Sequence, residues 1–149
     1  MFGVSTAAYQ IEGAWNERGK GESVWDKFLH DHPRYTKDGS IAVVATDSYH
    51  KYLEDIDMLK KLGVGYYRTS ISWPRILPNG TDNYINRGVM YYRRFFKELL
   101  KANNFLQSSL CTIGMCQPFS LTLVAGAIRK RWTILKIMHE LLLLFLVIW

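Results

Sequence analysis

Two stretches of the chain have the apolar spacing of amphipathic helices. In the first, apolar residues fall at positions 49, 52, 53, 56, 59 and 62, which is the repeat of one helix face. Thr46 or Asp47 can cap the start of this helix, and Gly63 suits the left-handed conformation in which helices often end. Asn86 can cap the second helix, and Asn103-Asn104 closes it. Its expected inward residues are Val89, Tyr92, Phe96, Leu99 and Leu100.

Each predicted helix follows a segment that favours a β-strand. Phe2–Ser5 predicts a short buried strand that runs into a loop at Gln10, and the aromatic and β-branched segment 64–73 predicts a second strand. Pro74 and the Pro78-Asn79-Gly80 turn end the second strand. The order strand, helix, strand, helix with tight connections is typical of a parallel α/β unit.

This α/β order is compatible with part of a barrel. In the (β/α)8 barrel, catalytic and binding residues lie at the carboxyl ends of the strands, where Gln10 and residues 68–73 are expected. A complete barrel needs roughly 250 residues, whereas this chain has 149. We therefore expect an α/β architecture that forms an incomplete TIM barrel, with only about the first two to three βα units.

Composition and cysteine placement exclude several classes of protein. The chain is 48% hydrophobic and 21% charged, with 19 Lys and Arg against 13 Asp and Glu. This balance differs from that of a disordered chain or a small disulfide-rich domain. Cys111 and Cys116 have no partners at metal-ligand spacing, so we expect no metal site and no cofactor.

The charge distribution divides the chain near residue 104. Residues 1–104 contain 12 acidic and 15 basic residues, whereas residues 105–149 contain four basic residues and one acid, Glu140. So few carboxylates in a long segment are unusual for a soluble domain. We therefore expect a folded part at 1–104 and a tail, 105–149, that has no domain of its own.

Four motifs in residues 2–104 resemble signatures of the family 1 glycoside hydrolases, the β-glucosidase and myrosinase-like group. In chain order they are FGVSTAAYQIEGAW at 2–15, GKGESVWD at 19–26, DSYHKY followed by EDI at 47–56, and YRTSISWPRILP at 67–78. The resemblance implies a (β/α)8 barrel that hydrolyses β-glycosides with retention, and a β-glycoside as substrate. It also implies two glutamates, an acid/base and a nucleophile, in an Asn-Glu-Pro motif and a Glu-Asn-Gly motif.

Neither catalytic motif occurs in this sequence. The glutamates of the chain are Glu12, Glu17, Glu22, Glu54, Glu98 and Glu140, and none matches the family pattern. Retaining glycosidases need both carboxyl groups, roughly 5–5.5 Å apart. We therefore assign no catalytic residue and expect this chain to be inactive alone.

Two binding roles of the family fall on residues of this chain. Gln10 matches the glutamine that hydrogen-bonds the sugar, and Arg68 matches the arginine that keeps the nucleophile ionised. The family usually has Phe after that arginine, so Thr69 is a departure expected to loosen local packing. Trp73 is a further candidate for sugar contact, although such tryptophans more often pack in the core or at the rim of a site.

The resemblance stops at Asn104, and the following sequence fits a shifted reading frame. When the third base of each codon is read with the first two of the next, residues 111–115 can encode Tyr-His-Trp-Asp. That tetrapeptide ends the next strand in the family. The same shift turns Leu123–Gly126 into Gly-Gly-Trp, also at the family spacing. We therefore interpret 1–104 as an N-terminal fragment and 105–149 as its frameshifted tail.

The alternative is a non-catalytic protein, either a sugar-binding remnant or a short tail-anchored protein. The apolar run Leu141–Trp149 is nine residues long, whereas a bilayer span needs roughly 20, so membrane association is not favoured. Arg129–Arg131 is too small a basic patch to indicate nucleic-acid binding. The start of the chain has no signal-peptide pattern, which leaves the localisation open, although relatives of this type are often secreted or lysosomal.

Overall fold

The computed structural model describes residues 2–79, 86–102 and 106–110, which contain a parallel sheet of three strands. Strand β1 is Gly3–Ser5, β2 is Tyr66–Ser70 and β3 is Leu106–Leu110, in the order β1-β2-β3. The register places Ser5 beside Arg68 and Arg68 beside Ser108. The carboxyl ends of the strands therefore meet at one edge of the sheet.

Helices connect these strands and flank them. They are α1 (Ala8–Ile11), α2 (Val24–Asp31), α3 (Ser48–Leu62), α4 (Trp73–Ile76) and α5 (Asn86–Ala102), and a 3-10 turn covers Glu17–Gly19. Helix α3 lies in the crossover from β1 to β2, and α5 lies in the crossover from β2 to β3. A helix between parallel neighbours is the βαβ arrangement, so the prediction of a parallel α/β unit is confirmed.

Helix α3 follows the predicted apolar face only in part. Its end at Gly63 is confirmed, because this glycine has φ 62° and lies in the left-handed region. Tyr49, Ile56 and Leu59 are buried as expected. Leu53 and Leu62, however, are 57% and 69% exposed, so their predicted inward placement is wrong for the described residues. The buried stripe is narrower than the sequence repeat because α3 packs mainly against α5.

The start of α3 also differs from the expected cap. Asp47 occupies the capping position, but its side chain makes no capping hydrogen bond. Its carboxylate instead lies 2.6 Å from His50 Nδ1. The hydroxyl of Thr46 donates to the carbonyl oxygen of Ile11 at 3.0 Å. Neither side chain caps the helix, and backbone carbonyl oxygens take that role. The N–H of Tyr49 donates to Glu12 at 3.1 Å and the N–H of His50 donates to Asp47 at 3.1 Å.

The core is a largely aromatic cluster between α3, α4, α5 and β2. Helix α5 buries Tyr92, Phe96 and Leu99 as predicted, and it also buries Tyr91 and Phe95, which the sequence repeat did not include. Predicted inward residues Val89 and Leu100 are only partly buried. The buried face of α5 therefore includes more aromatic residues than predicted, while the aliphatic residues Val89 and Leu100 lie at its margin.

Both predicted strands are shorter than their sequence segments. Strand β2 ends at Ser70, and residues Trp73–Ile76 form the helical turn α4. Gly3 and Ser5 of β1 are exposed and Val4 is only partly buried, so the prediction of a buried strand is wrong for the described residues. Gln10 lies in the helical turn α1 and not in a loop. Among the described residues β1 pairs only with β2, which leaves its other side uncovered.

Gly88 allows α5 to approach α4 at backbone distance. A Cβ atom at this position would lie 2.0 Å from the carbonyl oxygen of Arg75 and 2.8 Å from its carbonyl carbon. Such distances are far below van der Waals contact. The packing of α5 against α4 therefore requires a residue without a Cβ atom at position 88.

Several predictions concern sequence outside the described residues. They are the helix end at Asn103-Asn104, the shifted-frame interpretation of residues 111–149 and the apolar run Leu141–Trp149. Within the described ranges, no helix combines the length and the apolar content needed to cross a bilayer.

Candidate functional site

The carboxyl edge of β1 and β2 brings Arg68 next to the end of the first strand. Successive side chains of a strand point to opposite faces. Tyr67 and Thr69 are buried, whereas Arg68 between them is only partly buried. Its Nη1 donates to the Ser5 hydroxyl at 3.1 Å. Arg68 therefore lies at the edge where the barrel architecture places chemistry.

The turn that carries Gln10 is attached to the same edge. The backbone N–H of Thr6 donates to the carbonyl oxygen of Arg68 at 2.9 Å, and the N–H of Ala8 donates to the Ser70 hydroxyl at 2.8 Å. These bonds fix the start of α1 against the end of β2. The Gln10 side chain is exposed and makes no hydrogen bond to the other described residues. Its amide is thus available to a ligand at this edge.

A chain of hydroxyl groups joins the ends of β1 and β2. Burial raises the pKa of Tyr67, so its hydroxyl stays protonated and can donate to the Thr6 hydroxyl, 2.6 Å away. Thr6 donates to the Thr69 hydroxyl at 3.1 Å, and Thr69 donates to the Ser70 carbonyl oxygen at 3.3 Å. Thr69, which departs from the family pattern, is therefore buried with its hydroxyl satisfied.

A buried ion pair lies beneath the turn. Glu12 directly follows α1, and its Oε2 accepts from Nε of Arg75 at 2.8 Å. The Tyr92 hydroxyl donates to the other Glu12 oxygen and accepts from the Ser72 N–H. Arg75 also donates to the carbonyl oxygen of Gly13 at 3.0 Å. The cluster joins α1, α4 and α5 through groups that are almost fully buried.

Burial and charge set the protonation states of this cluster. Burial raises the pKa of Glu12, while the charge of Arg75 acts in the opposite direction. Burial, then the Glu12 carboxylate, raises the pKa of Tyr92 well above its ordinary range, which keeps this hydroxyl a donor. For Arg75, burial is the largest influence and acts to lower the pKa, but the charge and hydrogen bond of Glu12 together with Tyr92 and Tyr49 outweigh it, so the pKa rises. Arg75 therefore remains charged inside the fold.

Sequence reasoning did not single out this cluster. In the sequence Glu12 is one of several glutamates without a catalytic motif, and no local pattern assigns a role to Arg75. The available signal was a charged residue in each of the motifs at 2–15 and 67–78, together with Tyr92 on the predicted inward face of its helix. A charge inside an otherwise apolar or small-residue stretch often has a buried partner.

The glutamates of the described residues all lie outside the strands. Glu12 is 4% exposed and engaged by Arg75 and Tyr92. The other described glutamates, Glu17, Glu22, Glu54 and Glu98, lie in or beside helices and helical turns, and none is in a strand. Within the same ranges, no group of three or more His, Cys, Asp or Glu side chains is placed to hold a metal ion.

Trp73, the third candidate residue, belongs to the interior. It begins α4 and is 2% exposed, in the same cluster as Ile76 and Phe96. A ring so covered has little surface for stacking on a sugar. Its placement favours packing beneath the edge that carries Gln10 and Arg68.

Comparison with known proteins gives a consistent set of similarities. Residues 1–113 match Glycosyl hydrolase family 1. Myrosinase 1 of Brevicoryne brassicae is 52% identical over 102 residues, which are 68% of this chain and 22% of that protein. Furostanol glycoside 26-O-beta-glucosidase of Hellenia speciosa is 56% identical over 103 residues, 68% of this chain and 18% of that protein.

A solved structure supports the same similarity. The family 1 β-glucosidase from Thermotoga maritima aligns with a TM-score of 0.75 and 41% identity, over 85% of this chain and 28% of that chain. That enzyme has also been solved in complex with deoxynojirimycin. The chain spans about a fifth of the length of the curated relatives it matches. The family match extends past Asn104 and includes β3.

Proposed function

Since the chain belongs to glycosyl hydrolase family 1, we propose that residues 2–104 supply part of the sugar-binding edge of a β-glucosidase-like, retaining glycoside hydrolase. The substrate class is a β-glycoside. The observation that carries this proposal is the hydrogen bond from Ala8 N–H to the Ser70 hydroxyl, because it holds the turn of Gln10 against the strand end near Arg68.

The two side chains have the chemistry that these roles require. The exposed amide of Gln10 can donate to one sugar hydroxyl and accept from another. Arg68 carries a permanent positive charge, which would favour the ionised form of a neighbouring carboxylate. In the complete reaction one glutamate protonates the glycosidic oxygen while a second attacks the anomeric carbon, and water then releases the sugar. This chain would contribute binding and electrostatics to that reaction.

The strand order supports a finer assignment of the fold. Strands β1, β2 and β3 with their crossover helices suit the first three strands of an eight-stranded barrel. In this assignment the N-terminal part of the barrel, which the sequence places at residues 1–104, extends through β3, and the aberrant tail follows this strand.

We expect the 149-residue chain by itself not to hydrolyse β-glycosides. Retention requires two carboxyl groups roughly 5–5.5 Å apart, and no described glutamate lies in a strand. The test is incubation of the purified chain with an aryl β-glucoside. Release of the aryl group above the uncatalysed rate would contradict the expectation.

A chimera tests the binding site itself. In the chimera, residues 2–104 of this chain replace the matching segment of the Thermotoga maritima β-glucosidase, to which the structure aligns. We expect it to cleave an aryl β-glucoside. Loss of the Gln10 amide in Gln10→Ala should lower kcat/KM about 10- to 100-fold, the size of one or two lost hydrogen bonds. Arg68→Ala should lower kcat more than it changes KM.

Asn16→Ala is the matched control for the glutamine. Asn16 is also an exposed amide, but it precedes the 3-10 turn and makes no side-chain capping bond there. We expect this variant to retain the activity of the chimera. Equal losses for Gln10→Ala and Asn16→Ala, or full activity of both, would refute the role given to Gln10.

A further inference from the structure

A groove opens between α3, α5 and the 3-10 turn at Glu17–Gly19. Its volume is about 380 Å³, within the range of small-molecule pockets, roughly 300–1,000 Å³. Neither Gln10 nor Arg68 is among its lining residues. The proposed glycosidase function therefore does not account for it.

Three arginines line the groove. Arg18, Arg87 and Arg94 are all exposed, and none forms an ion pair or hydrogen bond with another described residue. Lys20 and Lys61, by comparison, each have a carboxylate partner within 3 Å. Positive charges gathered at one concave surface repel one another and create a local positive potential. An anion between them relieves that repulsion.

The spacing along α5 places two of these arginines at the ends of one stripe. Met90, Tyr91 and Arg94 follow Arg87 by three, four and seven positions. The four residues therefore share one face of α5. The backbones of Arg87 and Arg94 therefore lie on either side of Met90 and Tyr91, and both arginine side chains line the groove. Arg93 is on a different face and does not line the groove.

Aromatic rings supply the rest of the wall. Tyr52 of α3 and Tyr91 of α5 have their ring centroids 5.9 Å apart in an edge-on arrangement. Arg18 faces α5 from the 3-10 turn, where it has φ 51°, a backbone conformation uncommon for a residue other than glycine. The groove thus combines guanidinium groups with flat apolar surface.

Two acidic side chains beside the groove pair with His50, which is one of its lining residues. His50 Nδ1 lies 2.6 Å from Asp47, and its Nε2 lies 3.1 Å from Glu17. The hydrogen bond to Asp47, with a contribution from Glu17, raises the pKa of His50. Both carboxylates form their ion pairs with His50, and neither lies within 4.0 Å of a guanidinium nitrogen of the three arginines.

We propose that this groove binds a small organic anion, a phosphate or sulfate ester that carries a flat apolar group. The guanidinium group presents N–H donors in a planar fork that matches the oxygens of such tetrahedral anions. The apolar group would pack on Tyr52, Tyr91 and Met90. A metal cation is disfavoured at the same place by the three positive charges.

The proposal is tested by calorimetric titration of the full chain with phenyl phosphate, phenyl sulfate and the neutral benzyl alcohol. We expect the two esters to bind and the alcohol not to bind. Stronger binding of one ester identifies the anion that the groove prefers, and equal binding supports the shared chemistry. Binding should weaken as salt is added, because the arginines are exposed.

Substitutions locate the binding. Arg87→Ala and Arg94→Ala should each weaken the esters about tenfold or more, the size of a lost charged hydrogen bond. Arg93→Ala is the matched control, because it removes the same charge from the same helix outside the groove, and Arg94→Lys should retain part of the affinity. Failure of both esters to bind, equal binding of the alcohol, or equal weakening by Arg93→Ala would each overturn the proposal.

Discussion

Tyr92→Phe is the substitution that most directly tests the buried cluster beneath Gln10. It keeps the ring in place and removes one hydroxyl. That hydroxyl donates to Glu12 and accepts from the Ser72 N–H at 2.7 Å. All three residues are at most 6% exposed, so water cannot easily replace either bond.

The expected loss follows from the two bonds. A hydrogen bond to a charged group contributes about 1.5–3 kcal/mol, and a buried N–H left unsatisfied costs about 1–3 kcal/mol. We expect Tyr92→Phe to lower the free energy of unfolding by about 3 kcal/mol, a large part of the roughly 5–15 kcal/mol of a typical domain. Glu12→Gln leaves Arg75 charged and buried without its counter-charge, which should cost about 3–5 kcal/mol.

The assay is urea unfolding of the full chain, followed by far-UV circular dichroism. With a slope of about 1–3 kcal/mol per molar urea, the Tyr92→Phe midpoint should fall by roughly 1–3 M. Tyr91→Phe is the control, since Tyr91 is the neighbouring residue of the same helix, is also buried, and makes no hydroxyl hydrogen bond to the other described residues. The free energy of unfolding of Tyr91→Phe should remain within about 0.5 kcal/mol of that of the parent chain.

Two outcomes would refute this reasoning. One is an equal loss in Tyr92→Phe and Tyr91→Phe, which would mean that removal of any buried hydroxyl in α5 has the same effect. The other is a Tyr92→Phe chain as stable as the parent, which would mean that the Glu12 and Ser72 groups find other partners. Either result would remove the cluster as the support of α1.

Two further predictions concern backbone packing and pH. Gly88→Ala should lower the free energy of unfolding by about 1–3 kcal/mol, since its Cβ would meet the Arg75 carbonyl group, whereas Gly63→Ala meets no atom within 4 Å and should cost only about 1 kcal/mol of left-handed backbone strain. Both are measured by urea unfolding, and equal losses would contradict the clash. The pKa of His50 should lie above 6.5 in an NMR titration and fall towards it in Asp47→Asn. Because the folded pKa is raised, the stabilisation by His50 is complete below the unfolded pKa and is lost as pH rises through the folded one; an unchanged titration in Asp47→Asn would contradict this cause.

Local sequence determined the fold class and the elements that carry it. The apolar repeat over 49–62 and the run after Asn86 predicted α3 and α5, and the β-branched and aromatic segment predicted β2. These features depend on neighbouring residues, so they can be inferred without knowledge of the fold. The motifs around Gln10 and Arg68 likewise indicated the family and the strand edge at which both residues lie.

The tertiary structure alone decided which groups meet and what covers each face. Glu12 contacts Arg75 and Tyr92 across 63 and 80 positions of sequence, and no local pattern specifies such a contact. The repeat that marked Leu53 and Leu62 as apolar did not show whether any element would cover them, and the structure leaves both exposed. Periodicity identifies the apolar side of a helix, but burial depends on the neighbour that packs against it, and only the folded chain supplies that neighbour.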